Sequence, residues 1–187
     1  MRDINTLHPS VHVAADRLKA LAQERLGLRI IITECLRTAE EQAALYAQGR
    51  SDLSRVNAMR AIAKMSAITA DQNKRRVTNA STVADSFHGY GLAFDIAVTS
   101  PDGKQILWDA SSDWNSDGIS DWLSVGALAS ELGLEWGGQW TSFPDIPHYQ
   151  MTLGKTIAQL KADPNVVAGR TIQLTPQPVA QPTGKRR

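Results

Sequence analysis

Two short stretches of the chain carry most of its capacity for chemistry: Ser86-Phe87-His88-Gly89-Tyr90-Gly91-Leu92-Ala93-Phe94-Asp95 and, about fifty positions later, Asp145-Ile146-Pro147-His148. Two histidines and an aspartate drawn from them can give a zinc ion three nitrogen and oxygen ligands and leave the fourth tetrahedral position to water. That is the donor set of a hydrolytic site. Either stretch alone is an ordinary loop histidine beside a turn aspartate, and it is their combination and order that point to a metal. The other two histidines, His8 and His12, flank the start of a helix and read as surface or capping residues.

Positioning these side chains makes demands on the backbone. His88 and Asp95 are seven residues apart, a spacing that neither a helical face nor an alternating strand brings together. Gly89 and Gly91 therefore have to let the chain turn, so that a loop carries His88 and a strand over residues 93–98 carries Asp95. Pro144 and Pro147 bracket the second stretch and stiffen it, holding Asp145 and His148 in a fixed relation before a strand at 149–151.

The remaining pattern supplies the frame. Apolar residues at Val13, Ala14, Leu18, Leu21 and Ala22 recur at helical spacing over residues 10–26, with Gly27 as the cap. Residues 28–33 are β-branched and apolar and predict a strand. Thr38 and Glu41 form a capping box for a helix through Gln48, closed by Gly49. A further helix is expected near residues 53–65. Strand 93–98 is expected to turn at residues 101–104 into a partner at 105–108. Residues 119–132 read as an amphipathic helix with Trp122, Leu123, Val125 and Leu128 inward, and a short helix is expected around 155–162. Trp108, Trp114, Trp122, Trp136 and Trp140 are expected mostly in the core, with Trp140 the exception near the site.

At this point the sequence resembles the LAS metallopeptidases, which include D-Ala-D-Ala carboxypeptidases and dipeptidases, hedgehog-like domains and phage L-alanyl-D-glutamate endopeptidases. The resemblance rests on S-x-H-x-x-G-x-A-x-D at residues 86–95, D-x-P-H at 145–148, the block Ile31-Ile32-Thr33-Glu34-Cys35-Leu36-Arg37-Thr38, the run ending Leu45-Tyr46-Ala47-Gln48-Gly49-Arg50, and Gly137-Gly138-Gln139-Trp140. It spans roughly residues 5–155. It implies an α+β fold, a small, mainly antiparallel sheet with helices packed on it and zinc in an open cleft. His88, Asp95 and His148 are implied as zinc ligands, Asp145 as general base and Arg37 as the group facing the developing oxyanion. Gln42 and Ser86 match substrate-positioning residues of similar phage enzymes. Leu36 departs from the family's usual aromatic residue before the arginine and alters a subsite contact.

The activity so implied is a zinc-dependent peptidoglycan endopeptidase, an endolysin that cuts the stem peptide between L-Ala and D-Glu. A D-Ala-D-Ala carboxypeptidase of the same family is one alternative, and a zinc-stabilised binding domain without turnover is another. A second metal loop is written in Asp113-Trp114-Asn115-Ser116-Asp117-Gly118-Ile119-Ser120-Asp121, where Asp113, Asn115, Asp117 and Asp121 stand at calcium-loop positions 1, 3, 5 and 9 with glycine at 6. Ser124 occupies position 12, where the bidentate glutamate belongs. An Asp- and Ser-rich helix cap is the plainer reading of the same residues.

Composition sets outer limits. The 187 residues, 42% hydrophobic, suffice for one core, and residues 1–170 are expected to form one catalytic domain with a Pro- and Gln-rich basic tail at 171–187. A net charge of +1 supplies no general basic field for nucleic acid. Residues Met1-Arg2-Asp3-Ile4-Asn5 lack the apolar core of a secretory signal, and no run reaches the ~20 apolar residues of a membrane span. The expectation is a monomer made in the bacterial cytoplasm without membrane insertion, reaching the wall once the membrane is permeabilised. The single cysteine, Cys35, is expected as a small buried side chain.

Overall fold

The structure is a computed structural model and describes residues 3–100 and 102–173. Helix α1 (Pro9–Leu26) starts with proline in its first turn, is capped by the His8 imidazole accepting from the Ser10 amide, and ends at Gly27 with φ of 67°. Strand β1 (Arg29–Glu34) follows. The Thr38–Glu41 capping box opens α2 (Ala39–Ala47), and α3 (Leu53–Ile62) is capped by Asp52. Beyond a long irregular segment lies a short 3-10 turn, Phe87–Tyr90, then β2 (Ala93–Thr99), β3 (Ile106–Leu107), α4 (Asp121–Ala129), β4 (Glu135–Trp136), β5 (His148–Gln150) and α5 (Ile157–Ala162). The architecture is α+β.

All strand pairs are antiparallel, in the order β1-β2-β5-β4, with β3 also on β2. One face of this sheet is the core. Ile30, Phe94, Ile96, Val98, Tyr149 and Trp136 pack there with Leu18, Leu21, Trp122 and Val125 of α1 and α4. Phe94, Tyr149 and Trp136 stack in a row, with centroids 5.6 and 6.5 Å apart. Because side chains alternate along a strand, the residues between these apolar positions stand on the opposite face. Asp95 and His148 are among them, and they are cross-strand partners.

A β-bulge between Ile32 and Glu34 extends this arrangement to a third strand. Regular alternation from Ile32, paired with Ile96, would turn Glu34 toward the core. The extra residue instead sets Glu34 opposite Asp95. Glu34, Asp95 and His148 thus form a row across β1, β2 and β5.

Several expectations shift. Helix α3 stops at Ile62, three residues short, and α4 begins at Asp121, because the 113–121 loop holds Ile119 by its backbone amide on the Asp117 carboxylate. Leu123 faces solvent, as do Trp108 and Trp114. Ile172 is buried, and its amide donates to the Tyr90 carbonyl. The predicted tail from residue 174 onward lies outside the described residues. His8 is buried as well as capping.

Gly91 is the turn between the His88 segment and β2, with φ of 69°, and a β-carbon there would stand 2.8 Å from the Thr6 carbonyl oxygen. Replacing Gly91 with alanine is expected to cost about 1–3 kcal/mol from left-handed strain and this contact. Urea unfolding measures it, and a loss within the scatter of neutral surface mutations would contradict this account.

Candidate active site

His88 sits on the 3-10 turn Phe87–Tyr90, which the Ser86 hydroxyl caps by accepting from the His88 amide. Its Nδ1 lies 2.8 Å from the Cys35 carbonyl oxygen. A carbonyl can only accept, so Nδ1 carries the proton and Nε2 presents a bare lone pair. His148 is fixed in the opposite sense. Its Nε2 is 3.0 Å from Gln150 Oε1, while Gln150 Nε2 donates to Glu135 at 2.9 Å, which assigns the amide oxygen to the histidine side. Nε2 is then the donor, and Nδ1 is the free lone pair.

Those two nitrogens and Asp95 Oδ1 face one another. The separations are 3.1 Å between the nitrogens, 3.1 Å from His88 Nε2 to Asp95 and 3.3 Å from His148 Nδ1 to Asp95. Tetrahedral ligands at 2.0–2.1 Å from zinc stand about 3.3–3.4 Å apart, so the triangle fits such an ion with little adjustment. Three acceptors with their protons directed elsewhere could hold a cation by chemistry as well as shape. Among the described residues no other His, Cys, Asp or Glu trio gathers this closely.

The surrounding charges are arranged about this point. Burial alone would push Asp95 up, but the two imidazoles hold its carboxyl well below the usual range. Burial drives His148 down, and the Asp95 carboxylate outweighs it and raises the imidazole, so proton and cation compete for the same place. Asp145 is raised by burial first and by the charge of Asp95 second. Its amide donates to the Gly137 carbonyl at 2.9 Å, and a β-carbon on Gly137 would stand 2.6 Å from the Asp145 carbonyl oxygen. Gly137 permits that close approach. Trp136 Nε1 ties the same loop to the core through the Ile146 carbonyl at 2.7 Å, and the Trp140 ring lies 5.0 Å from that of His148.

Arg37 is buried at the sheet end of the cleft. Glu34 takes its Nε and Nη2 in a bidentate pair and Gln42 takes Nη1 at 2.9 Å, leaving two N–H groups, one on Nη2 at 3.8 Å from Asp95 Oδ2. Burial works against its charge, but Glu34, Asp95 and Asp145 together keep the guanidinium more firmly protonated than usual.

The structure brings His88, Asp95, His148, Asp145, Arg37 and Ser86 to one cleft of about 640 Å³. Gln42 does not line the cleft: it is fully buried and bonded to Arg37 and to the Ala80 carbonyl. Glu34, Gln150, Glu135 and the Cys35 carbonyl also belong to the site, and no motif in the sequence marks them. Gln150 was recoverable, because two residues along a strand from His148 means the same face. Cys35 itself is buried, and its thiol is pushed up to about 11 by burial, so its carbonyl is the useful part.

The 113–121 loop is closed by its own groups. Asp113 accepts from the amides of Asp117 and Gly118, Asn115 donates to Asp117, and Asp121 accepts from the Trp114 amide. Asp113, Asp117 and Asp121 do not gather as tightly as the histidine–aspartate set.

A family model described as D-alanyl-D-alanine carboxypeptidase matches residues 79–151. The chain is 39% identical over 145 residues to the peptidoglycan L-alanyl-D-glutamate endopeptidase CwlK of Bacillus subtilis, covering 78% of this chain and 73% of that protein. It is 30% identical over 147 residues to the L-alanyl-D-glutamate peptidase of Listeria phage A118, covering 75% of this chain and 39% of the phage protein. The chain thus spans about two fifths of that relative. Among solved structures, the L-Ala D-Glu endopeptidase ChiX of Serratia marcescens aligns over 80% of this chain and 84% of its own, at 23% identity and a TM-score of 0.40.

Gln150→Leu removes the acceptor that fixes the His148 tautomer. Divalent-ion affinity is expected to fall about 10- to 100-fold. Competition with a chromogenic chelator reads this, and unchanged affinity would show that the Gln150 contact does not set the tautomer.

Proposed function

We infer that this chain, which belongs to the peptidase family of D-alanyl-D-alanine carboxypeptidases and peptidoglycan L-alanyl-D-glutamate endopeptidases, is a zinc peptidase that hydrolyses the L-Ala–D-Glu bond of the peptidoglycan stem peptide. The observation that carries the reading is the triangle of three bare acceptor atoms in a cleft shared with Asp145 and Arg37. The names of the Bacillus and phage relatives favour the internal bond over a carboxypeptidase that trims the stem's free end. Asp145 in the cleft argues against a binding domain that keeps metal without turnover.

In this reading His88, Asp95 and His148 hold the ion. When bound, zinc supplies Lewis acidity, which polarises a peptide carbonyl and makes water ionise near neutral pH. Asp145 takes the proton from the attacking water and hands it to the departing amine. Burial and the neighbouring Asp95 charge raise its pKa, which brings it closer to the proton affinity such a relay requires. Arg37 offers its positive charge to the negative charge that develops on the carbonyl oxygen. Glu34 and Gln42 keep the guanidinium from rotating, and Ser86 holds the turn that presents His88.

Asp145→Ala is expected to lower kcat by about 10²- to 10⁴-fold with one zinc per chain retained. Mass spectrometry of digested peptidoglycan should show new D-Glu amino termini with the wild type, none with a chelator, and scarcely any with the variant. Release of free D-alanine instead would establish the carboxypeptidase.

A second reading concerns the 113–121 loop, to which we assign weak calcium binding. Its support is Asp121, fully buried, whose Oδ1 has no hydrogen-bond partner and whose carboxyl is raised first by burial and then by the charge of Asp113 and Asp117. Calcium is expected to raise the melting temperature of the wild type but not of Asp117→Ala. An unchanged melting curve in millimolar calcium dismisses the site.

A further inference from the structure

The run Gln48-Gly49-Arg50 does no chemistry, yet its contacts converge on one segment. Gln48 Nε2 donates to the Gln72 carbonyl at 3.0 Å, and the Gly49 amide donates to Asn73 Oδ1 at 3.2 Å. Gly49, with φ of 73°, lies so close to the Arg75–Arg76 peptide that a β-carbon would stand 2.8 Å from it. Arg50 donates to the Tyr46 carbonyl at 2.8 Å and the Thr78 carbonyl at 2.9 Å, with its guanidinium 4.1 Å above the Tyr46 ring. Asn73 Nδ2 returns a bond to the Ser51 carbonyl, and Gln42 holds the Ala80 carbonyl. The backbone is therefore fastened on both sides of Arg76.

The fastened segment is a wall of the catalytic cleft. Arg76, Val77, Thr78, Asn79 and Ala80 line it in succession, together with Phe143, Pro144 and Asp145. Four carboxylates, those of Glu34, Asp85, Asp95 and Asp145, also line the cleft, and its other arginine, Arg37, is committed to Glu34. Arg76 is exposed and has no hydrogen-bond or ion-pair partner among the described residues. An anionic ligand entering this acidic cleft finds one cation with all its donors free.

We propose that Arg76 is the receptor for a substrate carboxylate and sets the preference of the cleft for an acidic residue on the leaving side of the scissile bond. This inference rests on the L-Ala–D-Glu reading above. A glutamyl residue has two carboxyl groups and chain extension uses at most one, so a carboxylate remains unless it has been amidated. The Arg76 guanidinium can take it in a bidentate pair, and the fixed backbone on either side lowers the ordering cost of that contact. Amidation removes the charge and substitutes a donor for an acceptor, which the guanidinium cannot match.

The test compares two soluble peptides, one with L-alanyl-D-glutamate and one whose free glutamyl carboxyl is a carboxamide. Wild-type zinc enzyme is expected to show a KM about tenfold lower for the acid. Arg76→Ala should raise KM for the acid about tenfold, leave kcat within twofold and leave the amide unchanged, while Arg76→Glu reverses the preference and Arg76→Lys restores part of it. Equal losses on both peptides, or none on either, overturn the assignment. Wild-type protein that cleaves neither peptide counts against the endopeptidase reading. Calorimetric titration of the two intact peptides then tests Arg76 separately, and equal affinity for acid and amide overturns it.

Discussion

The tautomers of two imidazoles are the constraint from which the rest of the site follows. Were the proton of His88 on Nε2, or that of His148 on Nδ1, the triangle with Asp95 would close on a hydrogen bond and have no vacancy for a cation. The Cys35 carbonyl and the Gln150–Glu135 pair prevent this from behind. Each is supplied by a different strand or strand end, so assembly of the sheet and selection of the tautomers are one event. A site of this kind is organised before any ion arrives, and part of the binding free energy that unorganised ligands would spend on ordering is retained.

Charge is handled by the same economy. Asp95 is wedged between two imidazoles and faces Arg37, and Arg37 is in turn held by Glu34 on the neighbouring strand. The β-bulge at Ile32–Glu34 is what gives Glu34 that orientation. Without it the glutamate would turn toward Phe94 and Tyr149, a buried unpaired carboxylate costing several kcal/mol, and Arg37 would lose its bidentate partner. One inserted residue thus couples the register of a strand to the placement of the cleft's buried cation.

Much of this was legible in the residue pattern, and what was missed has identifiable causes. Helix α1, the Thr38–Glu41 box and Gly27 as cap follow from local rules that tertiary packing has no reason to override. The turn at Gly91 could be inferred because His88 and Asp95 must approach and no regular element allows it. The bulge could not, since Ile-Ile-Ile-Thr-Glu reads as unbroken alternation. Gln42 is placed toward substrate only by the resemblance, and its helical position does not say whether a polar side chain meets a cleft or a buried arginine. Leu123 and the tryptophans at 108 and 114 are exposed despite their hydrophobicity, a property that permits burial without requiring it.

The division between the two faces of the sheet explains how a small fold supports a polar site without losing its core. In Ala93-Phe94-Asp95-Ile96-Ala97-Val98, the large apolar residues all fall on the face toward α1 and α4, and Asp95 is flanked on its own face by two alanines that leave it room. The two faces are nonetheless joined at Trp136. Its ring stacks on Tyr149 in the core, its indole nitrogen holds the Ile146 carbonyl, and Gly126 and Gly138 are glycine where a β-carbon would collide with it. The loop bearing Asp145 is therefore anchored to the part of the molecule whose displacement costs most. Another wall, at residues 72–80, is held by hydrogen bonds from Gln48, Gly49, Arg50 and Gln42 and by the Asn73 amide on the Ser51 carbonyl. Gln42 joins this wall to the sheet side of the cleft, because the same amide that holds the Ala80 carbonyl also accepts from Arg37.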